Sequence, residues 1–185
     1  MIEILSAFGL SAATGLNAYL PLLIVGLLAR FTDLVTLKSP WNTLENPWVL
    51  GVLVVLLAIE MTVDKIPAVD TVNDAIQTFI RPAAGAILFA ASANVITEVS
   101  PTLALICGLL AAGGIHAAKT AARPVITAST MGVANPVVSV AEDVVSATTT
   151  VVAIVLPVLA AAFVLCLLAL FGWWAWRRRR KRSTS

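Results

Sequence analysis

The sequence predicts an all-α membrane protein, a polytopic helical bundle of about five or six membrane segments. Of its 185 residues, 59% are hydrophobic and only 12% are charged, and the mean hydropathy is +0.97. An ordinary soluble domain carries about 25% charged residues. The long apolar runs lack strict alternation, which favours helices over a closed barrel, the other architecture that satisfies the backbone in hydrocarbon.

The first predicted span covers about Leu5 to Leu28. No basic stretch precedes this apolar run and no small-residue cleavage site follows it, so we expect it to remain in the protein rather than act as a removed signal peptide. Within the span, Asn17 carries an amide that needs a hydrogen-bond partner in lipid. Prolines, asparagines and mixed charges then predict a turn-rich loop from Arg30 to Pro47.

Three further apolar runs follow this loop: "WVLGVLVVLLAIEMTV", "AAGAILFAASANVIT" and "PTLALICGLLAAGGIHAA". Each is long enough for a span or most of one. We expect His116 at the membrane-surface end of the last run, with Lys119 and Arg123 following it into a cytoplasmic loop. The region from Arg123 to Thr150 is apolar but rich in small, hydroxylated and helix-breaking residues. It suits a polar span, a broken helix or a re-entrant hairpin.

The C-terminal part contains the strongest single span. Val151 to Trp176 hold no charge, and about 20 apolar residues cross a bilayer core, with Pro157 as an expected kink. The basic run Arg177 to Arg182 marks the cytoplasmic side by the positive-inside rule, and it favours lipid headgroups rather than nucleic acid as its partner. We therefore predict one transmembrane domain over residues 1–176 and a basic cytoplasmic tail over residues 177–185.

The stretch "EMTVDKIPAVDTVNDAIQTFIRP" is unusual because it places charges directly after the second apolar span. Its acids form two pairs spaced four residues apart, so each pair shares one face of a helix. Pro67 interrupts the helical hydrogen bonds between the two pairs. A lysine and an arginine are available as counter-charges. The residues of this candidate substrate or ion pathway are Glu60, Asp64, Lys65, Asp70, Asp74 and Arg81.

Three interpretations of this charged stretch compete. In the first, it is an interfacial connector whose charges face water, where ion pairs contribute little. In the second, Glu60, Asp64 and Lys65 lie inside the protein. Charges at the centre of a membrane helix cost about 2.5 to 3.5 kcal/mol each, so a buried cluster usually marks a substrate or proton pathway. In the third, the carboxylates bind a metal in a membrane enzyme.

Sequence patterns argue against the enzyme. The stretch lacks the order of aspartates, glycine, alanine and arginine that a lipid-headgroup phosphotransferase needs, and the chain has no nucleophile elbow. With His116 as the single histidine, the usual histidine and cysteine zinc sites cannot be built. Cys107 and Cys166 lie inside predicted spans, so a disulfide framework is not expected. We therefore predict no catalytic residue, no metal site and no cofactor.

Internal similarity is consistent with two related halves. Laying "IPAVDTVNDAI" over "NPVVSVAEDVV" pairs Pro67 with Pro136 and aligns two aspartates, whereas "SAATGLNAYLP" over "TASTMGVANP" links Asn17 with Asn135. The two alignments cannot both be right. If the duplication is real, broken segments of the halves meet near the midplane to bind a solute, as in secondary transporters. The supporting residues of this site are Asn17, Pro67, Asn135, Pro136, Glu142 and Asp143. For Glu142 and Asp143, an exposed turn is the alternative.

Small residues recur within the apolar runs, among them Gly15, Gly85, Gly108, Gly113 and Gly114. Membrane helices gain little hydrophobic energy by associating with one another, so close backbone approach at small residues supplies much of their contact. We therefore expect these glycines to mark interfaces between helices.

Three stretches carry a resemblance to a known family: "SAATGLNAYLPLLIVGLLAR", "EMTVDKIPAVD" and "FIRPAAGAILFAA". Their most specific elements are the "DKIPxxD" pattern at Asp64 to Asp70 and the "RPxAG" pattern at Arg81 to Gly85. Over about Leu5 to Thr150, the chain resembles the bacterial membrane-protein family catalogued as domain of unknown function 4126. The resemblance implies a small polytopic inner-membrane protein and brings no known substrate, reaction or cofactor. It leaves the basic tail outside the shared part.

The functional prediction is a small transporter or flippase with an acidic site inside the membrane, which moves a small or lipid-linked solute. Proton coupling would run through Glu60, Asp64 and Asp70, while Lys65 and Arg81 would balance charge or bind an anionic group. The alternative is a non-catalytic membrane scaffold or assembly protein, which needs only packing. The lipid bilayer is the expected partner, and a homodimer would suit a bundle of this size.

Overall fold

Every regular element in the described part of the chain is helical, and no strand occurs there. The computed structural model describes residues 2–64, 67–92, 100–155, 163, 165–171, 173–174 and 177, without the side chains of 2–3 and 67–72. The described residues from 163 onward, all helical, are called the C-terminal segment. The other elements are α1 (Ile2–Leu16), α2 (Tyr19–Phe31), a 3-10 helix (Trp41–Glu45), α3 (Pro47–Val63), α4 (Pro67–Ala91), α5 (Pro101–Thr130) and α6 (Asn135–Val155).

The first predicted span is broken into α1 and α2. The Oδ1 atom of Asn17 accepts hydrogen bonds from the backbone N–H groups of Tyr19 at 3.2 Å and Leu20 at 2.9 Å. A side-chain oxygen in this position satisfies the N–H groups that a helix start leaves without intrahelical partners. The prediction of one continuous helix over this span is therefore wrong, and a second helix N-terminus lies inside it.

The predicted break at Pro67 is confirmed. Helix α3 ends at Val63 and α4 begins at Pro67, where the missing N–H of proline costs no helical hydrogen bond. From there α4 runs for 25 residues with Pro82 inside it. The predicted connector and most of the following apolar run thus form one helix.

Helix α5 is longer than the sequence suggested. It starts behind Ser100, whose hydroxyl accepts from the N–H of Leu103 at 3.2 Å, and it continues for 30 residues to Thr130. The loop expected around Lys119 and Arg123 is therefore wrong, because both residues lie within this helix. Of the three alternatives for the following region, the structure has a helix, a turn over residues 131–134 and a second helix.

Backbone geometry explains why helix α5 ends at Thr130. Met131 and Gly132 have positive φ angles of 52° and 82°. The left-handed conformation is a common way to end a helix, and it turns the chain back into α6. Helix α6 begins at Asn135, so the helix that carries Val151 starts well before the predicted last span. Pro157 lies outside the described residues, as do residues 178–185 of the predicted tail.

Helix α1 lies at the centre and packs against α4, α5 and α6, while α4 and α5 form the most extensive pair. A Cβ built on Gly85 would lie 2.8 Å from the carbonyl oxygen of Gly108, and one built on Gly15 would lie 2.5 Å from that of Ala112. The predicted close approach is confirmed at these three glycines. It is wrong for Gly114, where an added Cβ meets no atom within 4 Å.

Apolar side chains cover much of the outer surface of the described helices. Val55 of α3 is 58% exposed, Phe79 of α4 is 80% exposed and Val137 of α6 is 71% exposed. Among the described helices, two, Pro101–Thr130 and Asn135–Val155, are long and apolar enough to cross a membrane. The described charged side chains of α3 to α6, by contrast, turn inward.

Candidate functional site

A cluster of buried charged side chains lies where the end of α3, the helices α4 to α6 and the junction between α1 and α2 meet. We call it the central cluster. Its acids come from α3 and the residue that follows it, from α4 and from α6, and its bases come from α4 and α5. Its members are Glu60, Asp64, Asp74, Arg81, His116, Lys119, Arg123, Glu142 and Asp143, all buried except the partly exposed Glu142.

Arg81 is the innermost member, with no exposed surface. Its Nη2 atom lies 3.0 Å from Oε1 of Glu60 and 3.4 Å from Oδ2 of Asp64. Its Nη1 atom lies 4.0 Å from Oδ1 of Asp74. One guanidinium therefore joins the last turn of α3 to α4, which helps to explain why the chain tolerates a break between these helices.

The same guanidinium determines the protonation of His116. Nη1 of Arg81 lies 3.1 Å from Nδ1 of His116, and because arginine can only donate, Nδ1 must be the acceptor. The ring proton then sits on Nε2, 3.1 Å from the hydroxyl oxygen of Thr78, which itself donates to the carbonyl oxygen of Asp74 at 2.8 Å. His116 is thus neutral, and its two hydrogen bonds link α5 to α4.

Lys119 has a complete set of acceptors. Its Nζ lies 3.0 Å from Oδ2 of Asp64 and 3.1 Å from Oε2 of Glu142, and it donates to the carbonyl oxygen of Leu16 at 3.3 Å. An ammonium has three N–H donors, so this coordination uses all of them. Leu16 is the last residue of α1, whose free carbonyl groups carry partial negative charge.

Arg123 holds Glu142 with two sides of its guanidinium. Its Nη2 atom pairs with Oε2 of Glu142, and its Nε atom donates to Oε1 at 3.4 Å. Its Nη1 atom donates to the backbone carbonyl of Asp64 at 3.4 Å. This bidentate contact connects α5 to α6, and the third donor reaches the end of α3.

The junction between α1 and α2 also faces the central cluster. The Nδ2 atom of Asn17 donates to Oδ1 of Asp143 at 2.8 Å, and the N–H of Ala18 donates to Oε1 of Glu60 at 3.2 Å. The N-terminus of α2 carries partial positive charge, so a carboxylate is stabilised there. The broken first span therefore supplies a polar wall of the site.

Acidic groups outnumber basic groups in the described part of the central cluster. Five carboxyl groups face three cationic side chains, and His116 accepts a hydrogen bond from Arg81 and adds no charge. Oε2 of Glu60 is buried without a hydrogen-bond partner among the described residues. At Glu60, a buried carboxyl oxygen of this kind favours uptake of a proton or of a positively charged group.

The structure brings together most of the residues that the sequence singled out. Those with described side chains in or against the central cluster are Asn17, Glu60, Asp64, Asp74, Arg81, Glu142 and Asp143. Asn135 instead pairs with Thr127 at 2.9 Å, and Pro136 lies in the first turn of α6. Pro67 and Asp70 begin α4 with side chains outside the described part, and Lys65 is wholly outside it.

Two interpretations are corrected by burial. A connector with solvated charges does not fit Glu60 or Asp64, each 2% exposed. An exposed turn does not fit Asp143, which lies inside α6 and is buried. Within the residues described, no group of three or more histidine, cysteine, aspartate or glutamate side chains is arranged to hold a metal.

Sequence reasoning missed three members of the central cluster: His116, Lys119 and Arg123. Their spacing of three and then four residues puts them on one face of a helix, and this is the signal that could have found them. The end of the apolar run concealed it, because polar residues after such a run are typical of a loop. Only their partners on other helices explain why α5 continues.

The chain matches the model of one protein family over residues 4–178. The match extends well past Thr150, where we expected the resemblance to end. Arg177 and Arg178, the start of the basic tail, fall within the match. No curated protein and no solved structure matches the chain. Because the match covers nearly its full length, the chain belongs to the family described as Domain of unknown function (DUF4126).

Proposed function

We propose that this chain is a multi-pass protein of the bacterial inner membrane, with a cytoplasmic C-terminus, that transports or flips a small or lipid-linked solute through the central cluster. The observation that carries the proposal is the inverted distribution of side chains. Nine ionisable side chains converge inside the bundle, while valine, leucine and phenylalanine side chains face outward. About five or six membrane segments would accommodate the helices.

The outward surface supports a lipid environment. Val52, Val55 and Ile59 lie along one helix, α3, and each is more than half exposed, at 57%, 58% and 52%. Extended apolar surface of this kind marks contact with a membrane or with another protein. The inward charges add weight, because ionisable groups within membrane helices face the bundle interior and mark solute or proton pathways.

The broken helices support a solute site. The N-terminus of α2 and the last carbonyl of α1 both face charged side chains, Glu60 and Lys119 respectively. Helix ends of this type bind solutes and coupling ions in secondary transporters. The buried Oε2 atom of Glu60, without a hydrogen-bond partner among the described residues, gives a proton or a cationic group a place to bind, so Glu60 and Asp64 are proposed coupling residues. Asp70, whose side chain lies outside the described part, is the third.

The proposal is tested by flux in proteoliposomes. The full chain is reconstituted under an inward proton gradient, and proton entry is followed with a pH-sensitive dye while a panel of small solutes and fluorescent lipid analogues is added. We expect at least one panel member to accelerate proton entry, and we expect Glu60→Gln to abolish this acceleration. Asp33→Asn, which alters an exposed acid in the loop after α2, is the matched control and should keep it.

Equal flux through Glu60→Gln and through the unaltered protein would refute proton coupling by this residue.

A membrane scaffold is the second candidate function. The complete coordination of Lys119 favours it, because a structural link between helices needs only paired charges. Under that alternative no panel member moves, and Glu60→Gln alters stability alone.

A further inference from the structure

An apolar groove leads from the outer surface to the central cluster. Two adjoining cavities, of about 410 and 230 Å³, share Ala12, Ile115 and Leu168 in their walls. The walls come from α1, α5 and the C-terminal segment, and α6 adds Glu142 and Thr149 to the smaller cavity. We call these two cavities together the α1–α5 groove.

One end of the α1–α5 groove is apolar and the other is charged. Leu5 and Phe8 of α1 line the larger cavity, whereas Leu16, Lys119 and Glu142 line the smaller one. From Leu5 to Leu16 the helix rises by about 16 Å at 1.5 Å per residue. The groove is thus an elongated slot with a polar end, a shape that suits a molecule with a chain and a headgroup.

The chemistry of the polar end points to the headgroup. Lys119 and Arg123 are four residues apart on α5, so they share a face and both reach Glu142. The guanidinium of Arg123 contacts both carboxylate oxygens, a fork geometry that holds a phosphate equally well. The side chain of Glu142 is 15% exposed, compared with 1% for Lys119 and 5% for Arg123.

Glu142 is therefore the most exposed member of this ion-pair group, and its carboxylate repels an anion until the side chain moves away. It is also a link between helices that otherwise touch little, since α5 and α6 contact each other sparsely. Lys119 lines the smaller cavity together with Glu142, and Arg123 is reached through Glu142, with which it pairs. Rotation of the Glu142 side chain is the movement that the inference requires. In this arrangement Glu142 occupies the place of a ligand anion.

We propose that the α1–α5 groove binds a phosphate-bearing amphiphile. Its phosphate replaces Glu142 between Lys119 and Arg123, and its chain lies against Phe8 and Gly114. This inference rests on the membrane placement in the proposed function and deepens it, because it names the class of the lipid-linked solute. The binding involves no covalent step.

The test measures binding without flux. Purified full-length protein in a mild detergent is titrated with lysophosphatidic acid, and occupancy is read by native mass spectrometry and calorimetry. A monoacylglycerol with the same chain is the control without phosphate, and inorganic phosphate is the control without a chain. We expect saturable binding of the phosphate lipid, with the monoacylglycerol weaker by about tenfold, since charge-assisted hydrogen bonds supply the difference.

Two variants test the two ends separately. Gly114→Phe fills the apolar part of the groove, where an added Cβ meets nothing within 4 Å, and it should lower affinity about tenfold. Gly51→Phe, on the outer face of α3 and equally free of neighbours, is the matched control and should leave affinity unchanged. Glu142→Gln removes the competing carboxylate and should raise affinity several-fold, whereas a merely structural role would lower it.

Equal binding of the monoacylglycerol would overturn the inference, as would unchanged binding in Gly114→Phe. Displacement of the lipid by inorganic phosphate at comparable concentration would reassign the polar end to a free anion and overturn it too. The proposed function fails separately. Saturable lipid binding without flux of any solute would leave the groove assigned and transport refuted, while flux without lipid binding would do the reverse.

Discussion

The two neighbours of α5 in the chain pack against it in opposite ways. Helix α4 lies against α5 along most of its length, with Gly85 and Gly108 bringing the backbones together. Helix α6 follows α5 after a turn of only four residues, 131–134, yet the two contact each other sparsely. Their links are polar: the ion pairs of Glu142 with Lys119 and Arg123, and the pairing of Asn135 with Thr127.

Nearness in sequence therefore does not determine packing here. The α4–α5 pair has small residues facing each other, so dispersion contacts extend over the whole interface. The α5–α6 pair lacks such facing small residues, and this leaves room for the α1–α5 groove beside it. The polar contacts between α5 and α6 can exchange partners. We expect substitutions to be costly in the first pair and mild in the second.

The largest expected effect is the loss of the innermost cation. Arg81→Met should destabilise the protein by about 3 to 5 kcal/mol, because it leaves Glu60 and Asp64 as buried charges without their guanidinium partner. Arg123→Met, in the α5–α6 link, should cost clearly less, because Glu142 is partly exposed and keeps Lys119. Unfolding in detergent, followed by tryptophan fluorescence, measures both. Equal losses would contradict the contrast between the two pairs.

A smaller effect is expected where Gly85 of α4 and Gly108 of α5 bring the two backbones together. Gly108→Ala should destabilise the protein by about 1 to 3 kcal/mol, because the added Cβ would lie 2.8 Å from the Cα of Ala86. Gly113→Ala on the same helix is the control, since its nearest neighbour would be Cγ of Pro82 at 3.6 Å. The same unfolding assay compares them. An unchanged stability of Gly108→Ala would show that α4 and α5 can move apart to accommodate the added Cβ.

The smallest effect is expected at the turn between α5 and α6. Met131 has φ 52° and is 93% exposed, so its left-handed backbone is strained and its side chain makes little contact. Met131→Asn should stabilise the protein by about 0.5 to 1 kcal/mol, because asparagine tolerates this conformation. A lower unfolding midpoint for this variant would instead indicate that the methionine side chain is anchored in its surroundings.

Local sequence was a reliable guide where local chemistry controls the backbone. A proline has no N–H to donate, so the break between α3 and α4 at Pro67 could be predicted. Spacing of four residues puts Glu60 and Asp64 on one helical face, and both reach Arg81. The repeat that aligns Pro67 with Pro136 stays a prediction, although both prolines lie in the first turn of a helix.

Local sequence failed where a distant partner controls the backbone. Lys119 was expected in a loop, but Asp64, 55 residues earlier, lies 3.0 Å from its Nζ. The first span was expected to be continuous, but Asn17 reaches Asp143, 126 residues away, at 2.8 Å. The spacing of His116, Lys119 and Arg123 indicates a shared helical face, but no pattern within either segment identifies the distant partner. Each side chain is costly to bury until that partner is in place.

Composition, periodicity and proline positions thus specified helices with apolar outer faces and acids directly after the second apolar run, since these properties depend on neighbouring residues alone. The assembly of five carboxylates and three cations into one buried cluster followed from folding. Charges pair across helices according to where α1 to α6 bring them, and the free energy of that pairing exists only when the helices have met.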